Sequence, residues 1–165
     1  MKRVIILILM VFLFTNFVAA QEKEKDPKFG LTASYQNASF DILFNVWLNK
    51  KIKLSPAFGL IHSSGGGSDF TLGLVPQFYM REGKVRPYFT PRFAAIISSP
   101  NQGKSTTDLL FGGAFGSEYF FTKNFSVSIE AQLNVIKSDE NSMRFQNPGG
   151  TNVNTATAFL ATIYF

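Results

Sequence analysis

The chain has 165 residues, enough for one domain, and its 19 phenylalanines make it apolar for its size. It contains no cysteine, which excludes disulfides, thiol catalysis, thiolate metal sites and a lipoprotein anchor. The formal net charge is +5, and removing the two cations Lys2 and Arg3 at the start leaves +3. A surplus that small, spread along the chain, argues against a nucleic-acid partner.

Residues 1–20 have the pattern of a secretory signal peptide. A positive start (KR) precedes a continuous apolar run, and small residues (VAA) precede Gln21. The apolar run is shorter than the roughly 20 residues that a membrane-spanning helix needs. We therefore expect export, cleavage before Gln21, and a short mobile tail at residues 21–27.

From residue 28 to residue 165, eight segments of alternating polarity are separated by turn residues. In the second segment Phe40, Ile42 and Phe44 share one face, which is the period of a strand and not of a helix. Lengths near ten suit tilted strands that cross a bilayer. The predicted strands cover residues 29–35, 39–48, 52–61, 70–80, 85–98, 108–120, 125–136 and 153–165.

Side-chain volume predicts which face of these strands points outward. The apolar face is rich in Phe, Leu and Ile, and rows of Phe would overfill the interior of an eight-stranded barrel, which is only just wide enough for side chains. The bulky face therefore needs hydrocarbon outside, and we predict a membrane-spanning antiparallel up-and-down β-barrel of eight strands over residues 28–165. The opposite face is built from small residues, among them Gly30, Ser34, Ala57, Gly59, Gly73, Gly112, Ala114, Gly116, Ser126, Ser128, Ala156 and Ala158.

The connections predict how the barrel sits in a membrane. One side has tight turns at residues 49–51, 81–84 and 121–124, whereas the other has longer connections, above all residues 137–152. Outer-membrane barrels have short turns on the periplasmic side and longer loops outside. We therefore expect a bacterial outer-membrane protein with both termini periplasmic.

Two motifs resemble a known family. Phe159, Ile163 and Phe165 share a face, which resembles the C-terminal signal that outer-membrane barrels present to their insertion machinery. The stretch GSEYFFTKNFS at residues 116–126, followed by Glu130, is similar to a hairpin of the small OmpA-like outer-membrane barrels. The resemblance implies fold, location, contact with outer-membrane lipid and recognition by the insertion machinery. It implies no activity, because members of the family differ in function. A closed barrel needs no second copy, so a monomer is expected.

Charged residues in the inward phase are the most specific candidate site. A charge inside a narrow barrel must be paired or hydrated. A hairpin centred on Gln102 places Arg86 opposite Glu118, which predicts a bidentate ion pair. An interior of this width favours a salt-bridged plug over an ion-conducting lumen. The inward charges are Lys53, Arg86, Arg92, Glu118, Glu130 and Asp41.

Four prolines fall inside predicted strands, in the outward phase: Pro56, Pro76, Pro87 and Pro91. Proline removes a donor from the hydrogen-bond ladder and usually marks an edge or a bulge. We therefore predict a bulge or a locally weakened ladder across the third to fifth strands. Pro56 and Pro76 are equidistant from Gly66, so they are expected to face each other.

The remaining polar and aromatic motifs are weaker. His62-Ser63-Ser64 is similar to the His-x-Ser element of an outer-membrane lipid A deacylase family, but Leu74 stands where the acid is expected, and the triad is incomplete. No cofactor or metal motif is present, and the acidic cluster at residues 139–141 suits a solvated loop. Aromatic residues near strand ends predict interfacial girdles. They are Tyr35, Trp47, Tyr79, Tyr88, Tyr119 and Tyr164.

The expected function is therefore structural or surface-interacting, with a plugged lumen, no enzymatic activity, and long outer loops that leave room for an extracellular ligand. The alternative is a narrow pore for ions or small solutes. Two further alternatives are a soluble periplasmic barrel that binds an apolar ligand and an enzyme that modifies lipid A.

Overall fold

A computed structural model describes residues 27–36 and 39–165. The predicted signal peptide and residues 21–26 of the predicted tail lie outside the described residues. Within the described ranges, no helix is long and apolar enough to cross a bilayer. The strands are β1 (Phe29–Gln36), β2 (Ser39–Asn49), β3 (Ile52–Leu54), β4 (Pro56–Ser63), β5 (Gly67–Leu74), β6 (Gln77–Tyr79), β7 (Val85–Ser99), β8 (Thr106–Phe120), β9 (Phe125–Lys137) and β10 (Thr151–Tyr164).

The strands form one antiparallel sheet that closes on itself. Each of β7, β8 and β9 pairs with the next strand along the chain, and β1 pairs with both β2 and β10, which closes the ring. β3 and β4 together occupy one position in the ring, and β5 and β6 occupy the next. The ring therefore has eight strand positions, and the predicted fold class is confirmed.

The two ends of the barrel differ in their connections. We call one the turn end, which contains connections 50–51, 80–84 and 121–124 and the two chain ends of the barrel. The other, which we call the loop end, contains connections 64–66, 100–105 and 138–150. The longest is held at both margins by backbone hydrogen bonds, including Ser138 N to Gly150 O at 3.0 Å.

Polarity is inverted relative to a soluble protein. Large apolar side chains such as Phe44 and Phe159 are 52% and 58% exposed on the outside, whereas Lys53 and Glu118 inside are 2% and 0% exposed. Alternation along each strand produces this arrangement, because successive side chains point to opposite faces. The apolar exterior is what a barrel in hydrocarbon requires.

Pro56 and Pro76 lie where the hydrogen-bond ladder is interrupted, and at each interruption one ring position is split into two short strands. β3 ends before Ser55, and β5 ends before Val75, so the predicted weakening is found in the third and fourth positions of the ring. The pairing of β7 with β5 and β6 also lapses, between Phe93 and Phe89.

One detail of the proline prediction is wrong. Pro56 lies opposite Leu74 and not Pro76, because the β4–β5 hairpin turns about Gly65, one residue earlier than expected. On its other edge β7 keeps regular register partners on β8 through both of its prolines, so the weakening in β7 is confined to the edge that faces β5 and β6.

Candidate functional site

Five of the six predicted inward charges lie in the half of the lumen next to the turn end and at its middle. Lys53 comes from β3, Arg86 and Arg92 from β7, Glu118 from β8 and Glu130 from β9. Strand alternation aims all five inward, but β3 and β8 are not neighbours in the sheet. Contacts between them therefore cross the lumen.

Glu118 is the centre of one cluster. Lys53 Nζ lies 3.1 Å from Glu118 Oε2, and Tyr164 donates to Oε1 at 2.6 Å. The hydroxyls of Tyr79 and Ser126 also donate to this carboxylate. Four donors satisfy most of the acceptor capacity of one ionised carboxylate, which is what its complete burial requires.

The cation of this pair lies among aromatic rings. Lys53 Nζ is 5.3 Å from the ring centroid of Trp47, 5.4 Å from that of Tyr79 and 5.3 Å from that of Tyr164. It also donates to the hydroxyl of Tyr164 at 2.7 Å. Ring faces attract a cation most strongly when water is excluded, so the rings offset part of the cost of burying the ammonium.

Glu130 is the centre of a second cluster. Arg92 Nη1 lies 3.1 Å from Glu130 Oε2, Tyr88 donates to Oε1 at 2.7 Å, and Gln132 donates to Oε2 at 3.0 Å. Gln77 contacts the same carboxylate at 3.5 Å. This carboxylate is 1% exposed and is paired and hydrogen-bonded like the first.

The second cluster continues toward the loop end. Arg92 Nη2 reaches Gln36 Oε1 at 3.5 Å, and Gln36 donates to Asp41 Oδ2 at 3.0 Å. Asp41 therefore faces the lumen as the alternation predicts, although it is only half-buried.

Arg86 does not join either cluster. Its register with Glu118 is as predicted, but the predicted bidentate pair is wrong, because Lys53 and three hydroxyls occupy that carboxylate. The Arg86 guanidinium instead lies 4.3 Å from the ring centroid of Phe120, and its Nε donates to Gly83 O at 2.9 Å.

The girdle prediction is wrong for three tyrosines and for Trp47, whose ring lies 4.9 Å from that of Tyr79 and 6.1 Å from that of Tyr164 inside the barrel. Tyr79, Tyr88 and Tyr164 are 4%, 0% and 1% exposed inside the barrel, whereas Tyr35 and Tyr119 are exposed on the outside. The sequence contained the signal for this inward position, because each of the three tyrosines is next to an outward-facing residue, as Tyr88 is to Phe89.

Glycines on the neighbouring strands make room for two of these rings. A Cβ at Gly30 would lie 2.6 Å from Tyr164 Cδ1, and one at Gly116 would lie 2.6 Å from Tyr88 Cζ. The small inward residues therefore do not leave the lumen empty; they let large polar side chains from adjacent strands lie across them.

Two depressions lie on either side of these clusters. A cavity of about 270 Å³ at the loop end is lined by Asp41, Arg92, Ile96, Asn134 and other residues. An open depression of about 750 Å³ at the turn end is lined by Trp47, Arg86, Phe120 and other residues. Lys53, Glu118 and Tyr88 line neither.

The other predicted positions lie apart from the lumen. His62 is exposed at the loop end, where its Nδ1 lies 2.9 Å from Ser68 Oγ. Phe159, Ile163 and Phe165 project outward and are 58%, 36% and 52% exposed. That they form an insertion signal stays a prediction. No cluster of residues 27–36 and 39–165 has the composition of a metal site.

Comparison with known proteins bears on the fold. No protein-family model and no curated protein matches the chain. Among solved structures, Neisserial surface protein A (NspA) has a TM-score of 0.57 and 15% identity, covering 83% of this chain and 93% of that one. This chain has the fold of the small OmpA-like outer-membrane barrels. The N-terminal β-barrel domain of Pseudomonas aeruginosa OprF gives a TM-score of 0.50 and 19% identity, covering 83% of this chain and 95% of that one.

Proposed function

We propose that this chain is an integral outer-membrane protein with a lumen closed by its own side chains, and that it acts as a structural or surface-interacting protein without enzymatic activity. The observation that carries the proposal is the inverted polarity of the barrel. Outward Phe44 and Phe159 are more than half exposed, whereas Glu118 and Glu130 are at most 1% exposed. An apolar belt of this kind is stable in hydrocarbon and poorly soluble in water.

Similarity to an outer-membrane fold and to a protein named for the cell surface supports the location. The inward position of the charged and tyrosine side chains argues against the soluble alternative, because an apolar ligand would have to displace satisfied ion pairs from the lumen. Outer-membrane lipid is therefore the proposed surrounding, and a monomer the proposed state.

The location is tested by fractionation combined with heat modifiability. In the outer-membrane fraction, an unboiled sample run in detergent gel should migrate differently from a boiled one, because a folded barrel resists the detergent. Recovery in the soluble periplasm, with no difference between the two samples, would overturn the proposal.

The closed lumen distinguishes the proposal from a narrow pore. Two ion pairs, Lys53–Glu118 and Arg92–Glu130, lie inside the lumen with N···O distances of 3.1 Å each, and tyrosines pack around them. In planar bilayers, the purified protein should give no discrete conductance steps. Steps that persist at high purity, and that change in ion selectivity in the Glu118→Gln variant, would favour the pore.

Orientation is a separate part of the proposal: the turn end and both termini face the periplasm. Because the chain has no cysteine, single substitutions give clean labelling sites. Met143 at the loop end is 70% exposed, and Glu82 is exposed in a connection at the turn end. On intact cells a membrane-impermeant maleimide should label Met143→Cys and leave Glu82→Cys unlabelled until the cells are permeabilised. The reverse pattern would show that the barrel is inverted.

The loop end is the proposed interaction surface. Its 138–150 connection is ordered: Arg144 forms an ion pair with Asp69, and Ser142 donates to the buried Asp108 at 2.8 Å. An ordered, exposed segment presents one shape to a partner at lower entropic cost than a mobile loop.

A further inference from the structure

The turn end carries an excess of positive charge that the loop end lacks. Over residues 27–36 and 39–165, the turn end has seven cations and one acid, Glu82. The loop end has three cations, Lys104, Lys137 and Arg144, and four acids, Asp69, Asp108, Asp139 and Glu140, besides the Arg92 and Asp41 that line its cavity. The cations of the turn end are Lys28, Lys50, Lys51, Arg81, Lys84, Arg86 and Lys123.

Five of these cations surround the open depression of about 750 Å³, which we call the bowl. Its floor is aromatic, formed by Trp47, Phe120 and Tyr164, and its rim includes Glu82 as its acid. Lys50 approaches Glu82 only to 3.9 Å, and both side chains are more than half exposed, so the acid neutralises little of the rim. The cations at the bowl are Lys28, Lys50, Lys84, Arg86 and Lys123.

Arg86 distinguishes the bowl from a merely charged surface. Its guanidinium lies 4.3 Å from the Phe120 ring centroid and 5.9 Å from that of Trp47, and its Nε is held by Gly83 O at 2.9 Å. Stacking on the Phe120 ring and the hydrogen bond to Gly83 O fix the plane of the Arg86 guanidinium group. The structure gives its two Nη groups no hydrogen-bond or ion-pair partner in the described part of the chain, because Glu118 is taken by Lys53.

We propose that the bowl binds a phosphate group, presented either by a lipid headgroup or by a free soluble phosphate. A planar arginine fork matches phosphate oxygens in bidentate geometry. Lys28, Lys50 and Lys84 carry more charge than the one carboxylate of the rim, so the bowl attracts an anion, and most strongly one with two or more negative charges. The aromatic floor provides an apolar surface for the rest of the ligand.

The chain contains its own reporter for this test. Trp47 is the only tryptophan, and it lines the bowl beneath Arg86. The protein, folded in a zwitterionic detergent, is titrated with inorganic pyrophosphate, and Trp47 fluorescence is followed. We expect a saturable change, weaker at high salt, and no comparable change with acetate.

Two matched variants test whether binding depends on Arg86 in the bowl or on any positive charge at the turn end. Arg81 lies in the 80–84 connection that leads into β7, the strand that carries Arg86, and it does not line the bowl, so Arg81→Gln removes the same charge from the same end. Arg86→Gln should weaken pyrophosphate binding about ten- to a hundredfold, as expected for charged hydrogen bonds, and Arg81→Gln less than about threefold. Arg86→Lys should retain only part of the affinity, because it keeps the charge and loses the fork.

A second arm distinguishes the two sources of phosphate. The same fluorescence is compared in nanodiscs of phosphatidylcholine alone and nanodiscs that include phosphatidylglycerol. An Arg86-dependent change with phosphatidylglycerol, reversed by pyrophosphate, assigns the bowl to a lipid headgroup; a response to pyrophosphate alone assigns it to a soluble phosphate. The absence of a saturable change in both arms, or equal losses in Arg86→Gln and Arg81→Gln, would overturn the proposal.

Discussion

The two halves of the lumen differ although the same alternation builds both. Toward the turn end, Lys53, Tyr79 and Tyr88 are at most 4% exposed, and Glu118 and Glu130 are fully paired. Toward the loop end, a cavity of about 270 Å³ remains. Alternation therefore determines which residues enter the lumen, and their volume determines whether they fill it.

Hydrogen bonding shows the same contrast. Glu118 accepts from four donors, whereas the buried Gln132 Oε1, Arg92 Nε and Asn134 Oδ1, at the middle of the lumen and toward the loop end, have no partner among the described residues. Unpaired buried groups are costly, so the half of the lumen that contains them is expected to be the less rigid one.

The largest effect is expected from removing the cation at the turn-end cluster. Lys53→Met should lower the free energy of unfolding by about 3–5 kcal/mol, because Glu118 would be left charged and unpaired at 0% exposure. Denaturant titration in lipid vesicles, followed by Trp47 fluorescence, measures it.

Lys50→Met is the control, since its ion pair with Glu82 is exposed and worth at most about 1 kcal/mol. The double variant Lys53→Met with Glu118→Gln should recover much of the loss, because no buried charge remains. A loss in the Lys53→Met variant no larger than that of the control would mean that the cluster does not support the fold.

A smaller effect is expected from deleting one hydroxyl. Tyr79→Phe removes a donor to Glu118 and should cost about 1.5–3 kcal/mol, the range for hydrogen bonds to charged groups. Tyr119→Phe makes the same change on the outer face, where the ring is 40% exposed, and should cost little. Equal losses of unfolding free energy in the two variants would show that the hydroxyl inside the barrel stabilises the fold no more than the one outside.

Packing gives a direct contrast between the two halves. A Cβ at Gly116 would lie 2.6 Å from Tyr88 Cζ and 2.9 Å from Glu130 Cγ, so Gly116→Ala should cost about 1–3 kcal/mol, even though alanine restricts the unfolded chain. Ala94 lines the loop-end cavity, which has room for a larger side chain. Ala94→Val therefore adds more volume than Gly116→Ala but should lower the free energy of unfolding by less than about 1 kcal/mol. If the valine variant were the less stable one, the loop-end half would not be the looser half.

The features that the sequence predicted well are local ones. Strand positions and inward charges follow from alternation within a segment, and the β7–β8 register follows from a hairpin centred on Gln102. Alternation cannot predict which side chains from non-neighbouring strands pair with each other across the lumen. Lys53 reaches Glu118 from a strand that is not its neighbour in the sheet, and it displaces Arg86 from the expected pair.

The other errors have equally specific causes. The buried tyrosines were assigned by their position along the strand, although their phase already placed them inside. The proline register failed because the centre of the β4–β5 hairpin is Gly65 and not Gly66, and a polar Gly-rich connection does not fix its own centre. The ion pair between Arg144 and Asp69 joins a long connection to a distant strand, which no local pattern encodes.

The smallest expected effect concerns acid pH at the loop end. The backbone N–H of Asn141 donates to the Asp139 carboxylate at 2.9 Å and is the main reason that the pKa of Asp139 lies below its usual 3.8. Because the folded pKa is the lower one, this contact stabilises the 138–150 connection above about pH 3.8 and is lost as the pH falls through the folded value. The Asn141 amide shift in NMR spectra should therefore titrate with a midpoint below 3.8, and Asp139→Asn should abolish that titration. A midpoint above 3.8 would mean that the carboxylate does not hold the turn.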